Sequence, residues 1–168
     1  MNPVQKHVYD AIAAGPRGSV PAPFAAMLDA PHIAATLQAV GVAIRFGGTL
    51  PDDLREVCIL ATAAACSCGY EWNYHVEIAR KLGVSEALIA AAWGETPDDT
   101  VGPVHAALIE LCFDLVRDHR VSPMLISVVV EMIGRECASE VVAIAGYYQA
   151  LALFISAADV DEEPRELV

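Results

Sequence analysis

The stretch Cys68-Gly69-Tyr70-Glu71-Trp72-Asn73-Tyr74-His75 gathers reactive side chains in a chain otherwise dominated by alanine, valine, leucine and isoleucine. At roughly 100° per helical residue, Cys68, Glu71, Trp72 and His75 fall within an arc of about 100°. A thiol, a carboxylate, an indole and an imidazole are therefore expected on one face, projecting into one small volume. The segments on either side read as helices that wall this volume off.

Before the stretch, Pro51-Asp52-Asp53 opens a helix, with a proline at its start and two acids at the positive end of the dipole. That helix continues through Val57 and Leu60 to about Ala65. Glu56 shares a face with Leu60 and Ala63, an unusual place for a carboxylate. A join near residues 66–68 would fold the two helices into a hairpin and carry Glu56 towards His75. The plain alternative is an exposed glutamate paired with Arg55.

After the stretch, Gly83 ends the helix and Ser85 caps a short one that stops before Gly94. Residues 94–102 read as a loop. Further helices are expected over about 104–119, from Ser122-Pro123 to Gly134, and over 138–157; towards the N-terminus they fall at 3–13, 24–28 and 31–45. The segment 138–157 is apolar nearly all round, which implies burial or a subunit interface. The tail from Asp159 is acidic and is expected to be solvated and frayed. No pair of strands stands out. The expectation is an all-α, single-domain bundle over residues 1–168, with about seven or eight helices and a motif core at 50–95.

Composition narrows the function. The chain has 168 residues, 55% hydrophobic and only 19% charged, with a net charge of −12. No basic stripe is present to neutralise phosphates, so nucleic acid is not an expected partner, and an anionic membrane surface is equally ill-suited. No apolar run reaches the roughly eighteen uninterrupted residues of a membrane span. So apolar a chain of this size is expected to bury part of its surface between subunits, as an obligate homo-oligomer. Five cysteines and no export signal at the start point to free thiols in a cytoplasmic protein.

Among the candidates, Glu71 lies one turn before His75, where a carboxylate would orient the imidazole; a surface Glu–His pair is the plain alternative. Cys68 is expected at a helix N-terminus, where partial positive charge lowers a thiol's pKa. Cys58 and Cys112 sit among apolar residues and read as core. Tyr70, Trp72 and Tyr74 wall a pocket or simply pack. Glu71 and His75 lack the further ligand that zinc normally requires. No phosphate loop or dinucleotide motif is present, so neither a metal nor a cofactor is expected.

These residues resemble the carboxymuconolactone decarboxylase family, which includes alkyl hydroperoxidase D. The likeness is carried by Arg55-Glu56, by Cys68 to His75, and by Ala79-Arg80-Lys81-Leu82-Gly83-Val84-Ser85, with weaker support from Arg120-Val121-Ser122 and Gly146-Tyr147-Tyr148. The resemblance implies an all-α fold, assembled as trimers or hexamers with the active site near a subunit contact. The peroxidase branch has a glutamate, then Cys-x-x-Cys, then a histidine. Glu56, Cys68 and His75 match that pattern, whereas Glu71 stands where the second, peroxide-reactive cysteine belongs.

The departure shifts the expected chemistry from disulfide cycling to acid–base catalysis on a small carboxylated lactone or aromatic-derived substrate. Loss of carbon dioxide leaves a carbanion that needs a proton donor. His75 would supply the proton, with Glu56 or Glu71 holding the ring. Arg55, Arg80 or Arg45 would meet the substrate carboxylate, and Tyr70 and Trp72 would line the pocket. The alternatives are a thiol peroxidase centred on Cys68, with an external thiol resolving its sulfenic acid, and a non-catalytic binder of small ligands.

Overall fold

A ten-residue stretch, Arg55 through Ala64, is buried at every position, and the other helices are arranged around it. A helix buried on all sides must be the central element of a bundle. The computed structural model describes residues 1–16, 18–97 and 99–162. They form eight α-helices: α1 (Pro3–Ala13), α2 (Ala22–Ala26), α3 (Pro31–Phe46), α4 (Asp52–Ala65), α5 (Gly69–Lys81), α6 (Glu86–Trp93), α7 (Pro103–Phe113) and α8 (Pro123–Ala157). A 3₁₀ turn at Met27–Asp29 follows α2, and a π-helical turn at Asp114–Asp118 extends α7. No strand occurs among the described residues.

Helix α4 packs against α5, α6, α7 and α8. Its small residues Cys58, Ala61, Ala63 and Ala64 let those neighbours approach closely, and Val57, Ile59 and Leu60 fill the gaps between them. Helices α4 and α5 form the expected hairpin. Its tight turn places Ser67 at φ 54°, a left-handed conformation that a residue with a Cβ adopts only at a cost.

The last helical segment is one run with a break. Gly134 departs from helical geometry at φ 83°, ψ 163°, so 123–157 is two helices abutted end to end, the first stopping where the glycine predicts. By length and composition this run could cross a membrane. Half of its most apolar window is buried in the bundle, as in a core helix. Its buried residues include Val129, Val141, Ile144, Tyr148, Leu151 and Ile155, while Met124, Met132, Val142 and Leu153 face outward. With Phe46 and Val40 of α3, these are large apolar side chains left exposed.

Helix α8 also fixes the approach to α4. The Glu140 carboxylate accepts the Thr49 N–H at 2.7 Å, the Leu50 N–H at 3.0 Å and the Thr49 hydroxyl at 2.9 Å. Burial works against its charge, but these hydrogen bonds outweigh it and hold Glu140 below the usual carboxylate range. The chain passes so close that a Cβ on Gly48 would run into this carboxylate.

The acidic tail corrects an expectation. Its described acids are exposed, as expected, but they are not frayed: Asp161 folds back and accepts the Tyr70 N–H at 2.8 Å, and Glu162 accepts from the Asn73 amide at 3.1 Å. A carboxylate thus sits at the positive end of α5, whose own N-cap residue Cys68 makes no side-chain cap. The expected fraying of residues 163–168 lies outside the described residues.

Candidate active site

Glu56 and His75 meet across the α4–α5 hairpin. Glu56 Oε2 lies 2.6 Å from His75 Nδ1, with the two residues 0% and 1% exposed. With Glu56 ionised, Nδ1–H donates to the carboxylate and Nε2 is left as the working nitrogen. Glu71, one turn before His75 on α5, places Oε2 3.6 Å from Nε2. That is too long for a good hydrogen bond. Behind the pair, Arg55 bonds to Asp52 at 2.7 Å and its Nε lies 3.7 Å from Glu56 Oε1, which has no hydrogen-bond partner among the described residues.

His75 and Glu71 open onto a cavity of about 20 Å³, lined also by Tyr70, Tyr74, Tyr148, Leu151, Pro21 just before α2, and the α2 residues Pro23 and Phe24. Such a volume holds a single water. The α2 segment roofs it, and the Ala22 N–H donates to the Tyr70 hydroxyl at 3.3 Å. Tyr70 and Tyr74 are shared with an outer groove of about 410 Å³ that also includes Asn73, Glu77, Ile78, Lys81 and Glu162. The Arg45 guanidinium lies 5.7 Å over the Tyr74 ring and acts electrostatically on Tyr148 and Glu56.

Several expected members do not join this site. Cys68 is 3% exposed and its Sγ lies 3.8 Å from Asp161 Oδ1, away from the cavity lining. Burial first, and then the charges of Asp161 and Glu71, push its thiol up to about 12. The lowering expected from the helix N-terminus is therefore overturned, because desolvation outweighs the partial charge of the helix end. Trp72 turns into the core and packs on Trp93, with ring centroids 4.6 Å apart. Four side chains within one arc do not share one volume: the arc spans two neighbours, the core on one side and the roofed cavity on the other. Arg80 forms a two-pronged pair with Glu86, both contacts at 2.8 Å, on the surface. Arg55 is turned to Asp52 and the back of Glu56, not to the cavity. Tyr70 does line the cavity, as expected.

Three participants were not assigned a place from the sequence alone: Tyr148, Leu151 and the Pro21–Phe24 roof. Tyr148 belongs to the Gly146-Tyr147-Tyr148 match, which hinted at it; nothing in the roof's composition pointed to the site. Among the described residues, no group of three or more His, Cys, Asp or Glu is placed to hold a metal ion.

Residues 31–110 match the model of the Carboxymuconolactone decarboxylase family. No curated protein matches the chain. Among solved structures, a cysteine-to-alanine variant of the debrominase Bmp8, in complex with 2,3,4-tribromopyrrole, is similar with a TM-score of 0.76 at 17% identity, covering 95% of this chain and 85% of that one. An alkylhydroperoxidase AhpD core, an uncharacterized peroxidase-related protein from Ralstonia eutropha JMP134, gives a TM-score of 0.73 at 18% identity, covering 94% and 83%. At these identities the structures speak for a shared fold, and the family match over residues 31–110 adds the sequence evidence. Over residues 31–110 the chain is similar to the carboxymuconolactone decarboxylase family, and its fold is that of the alkylhydroperoxidase-like structures.

Proposed function

We propose that the protein is an acid–base enzyme of the decarboxylase-like kind, acting on a small carboxylated lactone or related aromatic-derived acid. The supporting observation is the buried 2.6 Å contact between Glu56 and His75 Nδ1, which leaves Nε2 at the roofed cavity beside Glu71. In this reading the C–CO₂ bond breaks and its electron pair spreads into the conjugated lactone carbonyl. Protonated His75 then delivers the Nε2 proton to the ring carbon, and Glu56 stabilises the imidazolium while it waits. Glu71 gives the departing side of the substrate a local negative wall, which favours loss of neutral carbon dioxide. Since the cavity holds only one water, the Pro21–Phe24 roof must lift for a substrate to reach Nε2.

The thiol peroxidase reading has less support. Cys68 is buried, carries a raised pKa and lies outside the cavity lining. His75→Ala should lower turnover of a carboxylated butenolide by at least about a hundredfold, the usual worth of a positioned proton donor, with the circular dichroism spectrum unchanged. Turnover within a few-fold of wild type would remove His75 from the chemistry.

A further inference from the structure

Tyr148 is only 2% exposed, and its hydroxyl has no hydrogen-bond partner among the described residues. Buried polar atoms are nearly always partnered, so this one calls for a group that occupies the site during function. Tyr148 lines the same cavity as His75 and Glu71, but from α8, opposite α5. Its ring stands edge-on to His75 at 5.2 Å and to Tyr147 at 5.1 Å, which holds the ring in place.

We propose that Tyr148 is a substrate-contacting residue, donating its hydroxyl hydrogen to the lactone carbonyl oxygen opposite His75 as negative charge develops there. The inference rests on the acid–base reading above and assigns the half of the reaction that His75 does not serve. When the C–CO₂ bond breaks, its electron pair arrives on the carbonyl oxygen. The phenol hydrogen-bonds to that oxygen without giving up its proton, and the proton for carbon comes from His75 Nε2. As the carbon is protonated, the carbonyl re-forms. Burial, together with the nearby Glu71 and Glu56 carboxylates, raises the Tyr148 pKa well above that of a free tyrosine, so the group remains a donor. Arg45, whose charge also acts on Tyr148, offsets part of the negative field around the oxygen. A donor fixed in a dry site before the charge appears is the arrangement that most strengthens such a contact.

The test uses the full-length protein and a five-membered unsaturated lactone bearing one carboxylate, ¹³C-labelled at the lactone carbonyl. Tyr148→Phe keeps the ring and its packing. It should lower kcat by about a hundred- to a thousandfold, the usual loss for one oxyanion donor, with KM changed by no more than a few-fold. In the bound lactone the infrared carbonyl stretch should shift to lower frequency in wild type and in His75→Gln, and lose that shift in Tyr148→Phe. Wild-type turnover with an unaltered stretch or rate in Tyr148→Phe would overturn the inference alone and leave the hydroxyl to an ordered water. Failure of the wild-type protein to bind or turn over the lactone would overturn the acid–base reading, and the role of Tyr148 with it.

Discussion

Cys68 shows how two opposing effects on one side chain are decided. It occupies the N-cap of α5, where the helix dipole favours a thiolate, yet it is buried beside Asp161 and its pKa reaches about 12. Burial is the larger cause, so Asp161→Asn alone should restore little reactivity. The expected outcome is that iodoacetamide at pH 8 leaves Cys68 unmodified while the protein stays folded, and that stoichiometric peroxide does not oxidise it; mass spectrometry reads both. Rapid labelling at pH 8 would contradict the burial argument. Placement of the residue was legible from the sequence, because Gly69 and the periodicity fix where α5 begins. Its environment was not, because Asp161 is brought to it from 93 residues away along the chain. The same holds at Tyr148, which only the tertiary fold sets against His75.

At the scale of elements, the α4–α5 hairpin was legible because its signals are local: the Pro51-Asp52-Asp53 start, the break at 66–68 and the Gly83 stop. What periodicity cannot supply is the neighbour each face meets. Trp72 and His75 differ by only three residues, yet one packs on α6 and the other on α4 and α8. The strap between α3 and α4 is another long-range feature, held by Glu140 of α8. Its folded pKa lies below the unfolded value, so its stabilisation is full above the unfolded pKa and is lost as pH falls through the folded one. Glu140→Gln should therefore destabilise the protein by about 1 kcal/mol at neutral pH, a charge-assisted hydrogen-bond value discounted for partial exposure. The gap to wild type should close in acid. Denaturant midpoints at pH 7 and pH 3 check this, and an equal gap at both values would argue that the charge on Glu140 is irrelevant.

At the scale of the molecule, the central burial of α4 explains how so apolar a sequence hides much of its hydrophobic content, but not all of it. Val40 and Phe46 of α3 and Met124, Met132, Val142 and Leu153 of α8 remain outside. We propose that copies of the chain associate through such surfaces. The net charge of −12 acts against this, since each added copy brings like charge to the contact. Added salt screens that repulsion within roughly 10 Å at 0.1 M and leaves apolar burial intact. Sedimentation at micromolar concentration should accordingly show an assembly that tightens as sodium chloride rises, and a monomer at every ionic strength would sink the proposal. The exposed apolar residues would then make the protein's quaternary state a reporter of ionic strength, with dilution in low-salt buffer the condition that separates its copies.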